Sequence, residues 1–289
     1  MLRSLKSLVL IGLLFCLAGC VHVGNEHCPT LATIGNTPIT ESQFEQYVRS
    51  GWANVSVDEI RTNQSARNAA VEGFFDLQVM AAKARQEGID KEPKFQKACQ
   101  LMEMKLLVKT ITDRDHAKLE AMAKDSSGTN KLRYMDSIKA EVSLKTTDLA
   151  TNDSPLAFTW LVESNAVLAT IGGAPILESD FQWFLKDAFR PEQRPYVFGQ
   201  PGARKRLVDT YLSMRALEAK ARKDGLGNES AFTDLKAVMH DKLLAEFLQE
   251  RDKTTPWLLP GKTPHDKETA LKQYLTRLRL EVGFRVTPQ

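Results

Sequence analysis

Histidine and cysteine, the residue types that most often carry catalysis or bind metals, follow no catalytic spacing in this chain. The five histidines are scattered along it: His22, His27, His116, His240 and His265. There is no Cys-x-x-Cys-His, His-Glu-x-x-His or Gly-x-Ser-x-Gly sequence, and no glycine-rich phosphate loop. Charged side chains on helices usually form a solvated face rather than a reactive site. We therefore predict no catalytic residue, no metal site and no cofactor.

Cys20 is the one cysteine whose surroundings indicate a modification. It ends the sequence Leu17-Ala18-Gly19-Cys20, which resembles the bacterial lipobox, where the cysteine is diacylated and becomes the new N-terminus. Arg3 and Lys6 precede a short apolar run, as in a signal peptide, and the run is too short to span a bilayer comfortably. We predict a lipoprotein signal peptide over 1–19 and a lipidated tether over 20–30. The alternative is an ordinary secretory peptide with a chance cysteine.

The predicted lipid places the mature protein in the bacterial cell envelope. Two or more acyl chains anchor a protein stably where one does not. We expect a lipoprotein that faces the periplasm. Val21 follows the cysteine, and its resemblance to lipoproteins without Asp at that position favours the outer membrane over the inner.

Cys28 and Cys99 remain once the signal peptide and the lipidated cysteine are set aside. An exported compartment is oxidising, so these two thiols could form a disulfide. The alternative is two unpaired thiols, with Cys99 beside a buried helix face. Two cysteines alone do not decide between these possibilities.

Composition and charge indicate an ordinary globular protein without affinity for nucleic acid. Apolar residues make up 43% and charged residues 26% of the chain. Removing residues 1–19 takes two of the 39 basic residues and none of the 36 acidic ones, which leaves 37 against 36 and a net charge of +1. Nucleic-acid binding usually requires a basic surface. The mature length suits two domains of typical size.

The chain contains two copies of one sequence. Residues 31–44 return as 168–181 with ten of fourteen positions identical at a constant offset of 137. The offset persists where 82–89 align with 219–226, and it grows by three near the end of each copy. A repeat of this length exceeds the 20–50 residues of solenoid units, so each copy is expected to be a small domain. We predict a first module over 31–147, a linker over 148–166 and a second module over 167–289.

Each module is predicted to be mainly α-helical. A short strand, closed by Gly35 or Gly172, precedes three helices whose apolar positions coincide between the copies. Thr40 and Gln43 form a capping box in the first copy only. Each copy closes with a segment that has no counterpart in the other copy, then an amphipathic helix, and then a segment of alternating apolar and polar residues. We expect the first and last strands of each module to pair with each other.

The two copies resemble the N- and C-terminal segments of the SurA, PrsA and PpiD family of exported foldases. The resemblance rests on the opening "ATIGGAPILESDF", the helix end "AKARKDGL" and the closing "YLTRLRLEVGFRV", and it covers nearly all of 31–146 and 167–287. In that family these segments form one mostly helical chaperone domain that holds unfolded clients.

The chain departs from this family in the gap between the third and closing helices. The family usually has a parvulin isomerase domain there, of about the length of a small domain. Here each gap holds only a short segment that differs between the copies, and no segment resembles the Gly-Gly-Asp-Leu-Gly signature of parvulins. We therefore expect no peptidyl-prolyl isomerase activity and no enzyme.

The resemblance implies a membrane-anchored exported chaperone, or holdase, that binds unfolded or assembling envelope proteins. The alternative is a dedicated assembly lipoprotein for one envelope or secretion complex, and an active isomerase is the least favoured. The oligomeric state is left open, with a homo-oligomer among the options. The candidate client-binding residues are apolar and lie between the predicted elements: Phe158, Trp160, Leu161, Trp257, Leu258 and Leu259. These residues have an alternative role in a domain interface.

Overall fold

The computed structural model describes residues 29–51, 53, 55–123, 129–151, 165–252 and 263–288. Within them the protein is mainly α-helical, as predicted. The described helices are α1 (Glu41–Arg49), α2 (Val57–Thr62), α3 (Gln64–Gln86), α4 (Pro93–Arg114), α5 (His116–Ala123), α6 (Thr129–Glu141), α7 (Asp148–Thr151), α8 (Glu178–Ala188), α9 (Arg194–Phe198), α10 (Ala203–Lys223), α11 (Ser230–Arg251) and α12 (Pro264–Glu281). The described strands are β1 (Thr30–Ile34), β2 (Thr37–Thr40), β3 (Leu144–Thr146), β4 (Val167–Ile171), β5 (Ala174–Leu177) and β6 (Phe284–Val286).

Local sequence signals explain where the helices begin and end. Thr40 and Gln43 form the predicted capping box of α1, with the Thr40 N–H donating to Gln43 Oε1 at 2.9 Å. Its counterpart α8 follows Leu177 and has no side-chain cap. The long helices α3 and α10 each end two residues before a glycine in the left-handed conformation, Gly88 with φ 76° and Gly225 with φ 78°.

Each repeat opens with a hairpin of two strands. β1 pairs antiparallel with β2, and β4 with β5. The turn after the first strand was predicted, but the second strand of each hairpin was not. Pro38 and Pro175 lie in these second strands, which form one edge of each sheet. Proline is tolerated at such an edge because a missing N–H costs no ladder hydrogen bond there.

The third strand of each sheet comes from the other repeat, so the predicted pairing within each module is wrong. β6 of the second repeat pairs with β1, and β3 of the first repeat pairs with β4. The two pairings have equivalent registers: Ala32 lies opposite Val286, and Ala169 lies opposite Thr146. Each small antiparallel sheet therefore joins the opening of one repeat to the close of the other.

The helices repeat this exchange. α3 packs against α11 and α12 of the second repeat, whereas α10 packs against α4 and α6 of the first. An equivalent ion pair marks each contact: Lys83 lies 2.7 Å from Glu281, and Lys220 lies 3.1 Å from Glu141. Exposed pairs of this kind add little stability. The apolar clusters around them, which draw side chains from both repeats, provide most of it by removing apolar surface from water.

The predicted linker over 148–166 begins with an ordered helical turn. α7 follows β3 directly, and its Ala150 is buried in the cluster that contains Leu168 and Val208. Leu149 and Ala150 therefore pack into a core, while Asp148 and Thr151 are exposed. The remainder of that segment is described only from residue 165 onward.

Candidate functional site

Most of the site residues predicted from the sequence lie outside the described residues. These are the lipidation site Cys20, the possible disulfide partner Cys28, and the six apolar residues Phe158, Trp160, Leu161, Trp257, Leu258 and Leu259. Their roles remain predictions.

Cys99 is half-buried on α4, where it packs against an apolar cluster of α3, α11 and α12. Burial raises the pKa of its thiol to about 11, and Glu103 adds to this effect while Lys236 opposes it. The thiol is therefore protonated near neutral pH and a poor nucleophile. Its pairing with Cys28 stays a prediction.

The described histidines lie on separate helices. His116 begins α5, His240 lies in α11 and His265 lies in α12. The ring of His240 makes an edge contact with Phe95, with 5.2 Å between the ring centroids. In the part of the chain that the structure describes, no three His, Cys, Asp or Glu side chains are grouped as a metal ion would need.

A charged pocket of about 230 Å³ lies where α4 of the first repeat meets α8 and α10 of the second. Lys97 Nζ lies 2.6 Å from Asp180 Oδ1 across this junction. Arg222 Nη2 contacts Glu103 at 2.9 Å and the buried Glu218 at 3.0 Å. Opposite charges therefore face each other throughout the pocket.

The pairing of charges decides what this pocket can do. Burial alone would raise the pKa of Glu103, but hydrogen bonds and charges from Lys236 and Arg222 bring it below its ordinary value. A general acid at neutral pH needs the opposite shift. Glu103 therefore belongs to a network of ion pairs that joins the two repeats at this pocket.

A second cavity, of about 680 Å³, is a groove with both apolar and polar walls at the edge of the first sheet. It lies between the start of β1, the first half of α3 and the residues at and after the end of β6. Its apolar walls are Leu31, Val71, Phe75 and Val286. Val286 is 59% exposed, which is unusual for a large apolar side chain among the described residues. Polar side chains, including Gln64 and Asn68, form the rim.

Two charged side chains line this groove, Glu72 and Arg67. Glu72 lies 2.8 Å from Arg279. Arg67 is paired within its own repeat. Its Nη2 donates to both carboxylate oxygens of Glu41, at 2.8 Å each, and its guanidinium lies 5.6 Å from the ring centroid of Phe44. The Arg67 and Glu41 side chains are each 25% exposed. Apolar walls beside a few placed polar groups are typical of sites that bind apolar ligands or peptide segments.

Sequence reasoning did not find this groove, because its walls come from three segments that are far apart in the chain. The matched apolar positions, Val71 with Val208 and Phe75 with Leu212, were recognised only as core. The contact of β6 with β1 was needed to place Val286 beside them.

The described helices do not include one that is both long enough and apolar enough to cross a membrane. Comparisons of the chain with protein-family profiles, with curated proteins and with solved structures found no match.

Proposed function

We propose that this protein is a lipid-anchored exported chaperone that holds segments of unfolded or assembling envelope proteins and has no isomerase activity. The family resemblance of both repeats and the lipobox-like sequence at Cys20 support this function and the location in the cell envelope. The groove beside Arg67, in which the exposed Val286 lies next to polar groups, is the observation that carries the proposal.

An accessible apolar groove is what a holding chaperone needs. Unfolded chains expose apolar side chains, and burying these against Val286 and the accessible part of Val71 releases ordered water and lowers the free energy. Polar groups on the rim can then hydrogen-bond to the backbone of the bound segment, whose carbonyl and N–H groups would otherwise be desolvated without partners. No chemical step is required.

The test uses the mature chain from residue 20 with Cys20→Ser, so that it stays in solution without lipid. We expect it to suppress light scattering from an aggregating unfolded substrate. It should not accelerate prolyl isomerisation of a proline-containing peptide above the uncatalysed rate. Isomerase activity in protein free of host isomerases would contradict the proposal, as would a lack of any effect on aggregation.

Two matched variants connect holding to the groove. Val286→Asp places a charge in the groove wall, and Leu132→Asp places one on another exposed apolar side chain, which is 67% exposed on α6. Both positions are exposed, so neither variant should disturb the core. We expect Val286→Asp to weaken holding and Leu132→Asp to leave it unchanged. If the two variants suppressed aggregation equally well, the groove would not be the site that holds the substrate.

A dedicated assembly lipoprotein remains the second candidate. The same assays distinguish it, because a protein that recognises one folded partner should not protect several unrelated unfolded substrates. Trp257, Leu258 and Leu259 are the other candidate client-binding residues predicted from the sequence. Replacing all three by Ser tests whether they contribute to holding.

A further inference from the structure

The repeat provides a second version of the groove, and in that version the space is filled. Leu168, Val208 and Leu212 stand at the positions of Leu31, Val71 and Phe75 in the alignment of the repeats. These three residues belong to one buried cluster together with Ala150 of α7. In the first repeat Leu31 and Phe75 are buried too, and the difference lies at Val71, which is only half-buried. The segment that follows β3 therefore occupies the space whose counterpart, after β6, is a groove that none of the described residues fills.

The two sites share the same backbone frame. Thr147 and Thr287 follow the closing strands, and their N–H groups donate to the equivalent carbonyls of Leu168 and Leu31, at 2.9 and 3.0 Å. The chain then turns into α7 after Thr147, with the Ala150 N–H donating to the Thr147 carbonyl at 3.0 Å. The occupant of the filled site is thus one helical turn carrying Leu149 and Ala150.

The two equivalent arginines, Arg204 and Arg67, differ in their contacts and in their exposure. Arg204 pairs with Glu178 as Arg67 pairs with Glu41, and it also lies over an aromatic ring, that of Phe181, at 5.8 Å. Arg204 makes one further contact: its Nη2 donates to the Leu149 carbonyl at 3.3 Å. The Arg204 side chain is 7% exposed, against 25% for Arg67. Val208 is fully buried, whereas Val71 is half-buried.

We propose that the groove beside Arg67 binds one helical turn of a client polypeptide in the way the other half binds α7. The bound turn carries a leucine followed by a small apolar residue such as alanine, and one of its backbone carbonyls accepts a hydrogen bond from Arg67. This inference rests on the proposed chaperone function and specifies what the chaperone recognises. The ligand is defined by its chemistry, since α7 shows which side chains and which carbonyl the site accommodates.

The experiment grafts the occupant onto the open site. Pro288 and Gln289 are replaced by the sequence of residues 148–155, so that Thr287 leads into Asp-Leu-Ala-Thr as Thr147 does. The control graft carries Leu149→Asp and Ala150→Asp within the added sequence. We expect the midpoint of thermal unfolding to be higher for the first graft than for the control graft by about 2–4 °C. This is the shift that about 1 kcal/mol of added stability produces in a chain of this size.

Arg67→Met in both grafts tests the predicted hydrogen bond. The difference between the two grafts should shrink in this background, because the carbonyl of the grafted turn has lost its donor. A difference that is unchanged by Arg67→Met would contradict the assigned role of Arg67.

Holding is then measured for the same proteins. The first graft should no longer suppress aggregation, while the control graft should act as the unaltered chain does. A graft that fails to stabilise relative to its control would overturn the inference, and a groove already filled by residues 20–28 or by a second copy would give that result. A stabilising graft that leaves holding intact would also overturn it.

Failure of the inference can be told apart from failure of the proposed function. If the unaltered chain shows no holding activity, the chaperone proposal fails, and the thermal shift still reports whether the groove accepts a turn such as α7. If the chain holds substrates but the graft neither stabilises nor inhibits, the function stands and this groove is not its site.

Discussion

Thr33 lies opposite Arg285 in an antiparallel pair of strands, so the opening of the first repeat is joined to the close of the second. Its counterpart Thr170 lies opposite Lys145. Because both pairings cross between the repeats, neither repeat contains all the strands of either sheet.

This exchange predicts how fragments should behave. Residues 29–151 and 165–288, produced together as separate chains, should associate into one folded complex with the helical content of the whole protein. Produced alone, either fragment should be largely unfolded or should dimerise, with two copies supplying each other's missing elements. Size-exclusion chromatography with circular dichroism measures both outcomes. A folded monomer from one fragment would show that the exchange is not required.

Phe95 should be a sensitive position, because it connects the repeats through the core. It is fully buried on α4 and makes an edge contact with Phe247 of α11, with 5.3 Å between the ring centroids. Phe95→Ala should reduce the free energy of unfolding by about 3–5 kcal/mol, since it removes apolar contacts and leaves a cavity. Tyr196→Ala, at a 79% exposed side chain, is the control and should change it by less than about 0.5 kcal/mol. Urea denaturation at neutral pH provides the comparison.

The two equivalent arginines should differ in their effect on stability. Arg204→Ala leaves Glu178 buried without its partner, a loss that typically costs about 3–5 kcal/mol. Arg67→Ala should cost clearly less, because water reaches Glu41, which is 25% exposed against 13% for Glu178. Chemical denaturation of the two variants side by side measures the difference. Equal losses of stability in the two variants would mean that water is excluded from the groove as fully as from the filled site.

Asp241 should make the stability of the protein sensitive to acid. Burial alone would raise its pKa, but the nearby His240 side chain, the charge of Arg85 and a hydrogen bond from the Gln78 amide lower it below the ordinary value. A carboxyl whose folded pKa is lowered stabilises the protein above its unfolded pKa of about 3.9, and that contribution disappears as the pH falls through the folded pKa.

Asp241→Asn tests this contribution. The variant should be less stable at pH 7, by about 1.5–3 kcal/mol for lost charge-assisted hydrogen bonds, and should lose less stability than the unaltered chain below pH of about 4. Urea midpoints between pH 7 and pH 3 measure both effects. Parallel pH profiles would show that Asp241 does not contribute to the acid sensitivity.

Cys99 should resist alkylation in the folded protein. With a pKa of about 11, the thiol has little reactive thiolate at pH 8, so iodoacetamide should modify it far more slowly than after unfolding. Mass spectrometry without a reductant also tests the predicted disulfide. If neither Cys28 nor Cys99 is alkylated even in denaturant, the two are paired and close a loop of 99 − 28 = 71 residues. Reducing it should then cost about 4 kcal/mol.

The sequence was sufficient for the longer helices, but not for the shorter helices α2, α5, α7 and α9. It was also insufficient for the choice of strand partners. Matched apolar positions placed α3, α4, α10 and α11, because periodicity and capping act over neighbouring residues. β3 and β6 have similar lengths and flanks, and either could lie beside Thr33. Local patterns cannot choose between two such equivalent partners, so the exchange depends on tertiary packing.

The groove was beyond sequence reasoning for a related reason. α7 is four residues long, too short to show helical periodicity, and it lies in a stretch whose composition is typical of a linker. Leu149 and Ala150 pack beside Val208, and no described residue packs in the same way beside Val71. This difference between the repeats lies in tertiary packing, which local sequence patterns do not show.

The crossed strands also determine when the protein can fold. During synthesis the residues around Thr33 are made first and those around Arg285 last, so the sheet that joins them has to wait for nearly the whole chain. Contacts between residues so distant in sequence form slowly, because the loop between them must be closed first. The early helices would meanwhile expose the apolar faces that α11 and α12 later cover. A chain built in this way should remain incompletely folded until both repeats have been made, which would suit the export that the sequence predicts.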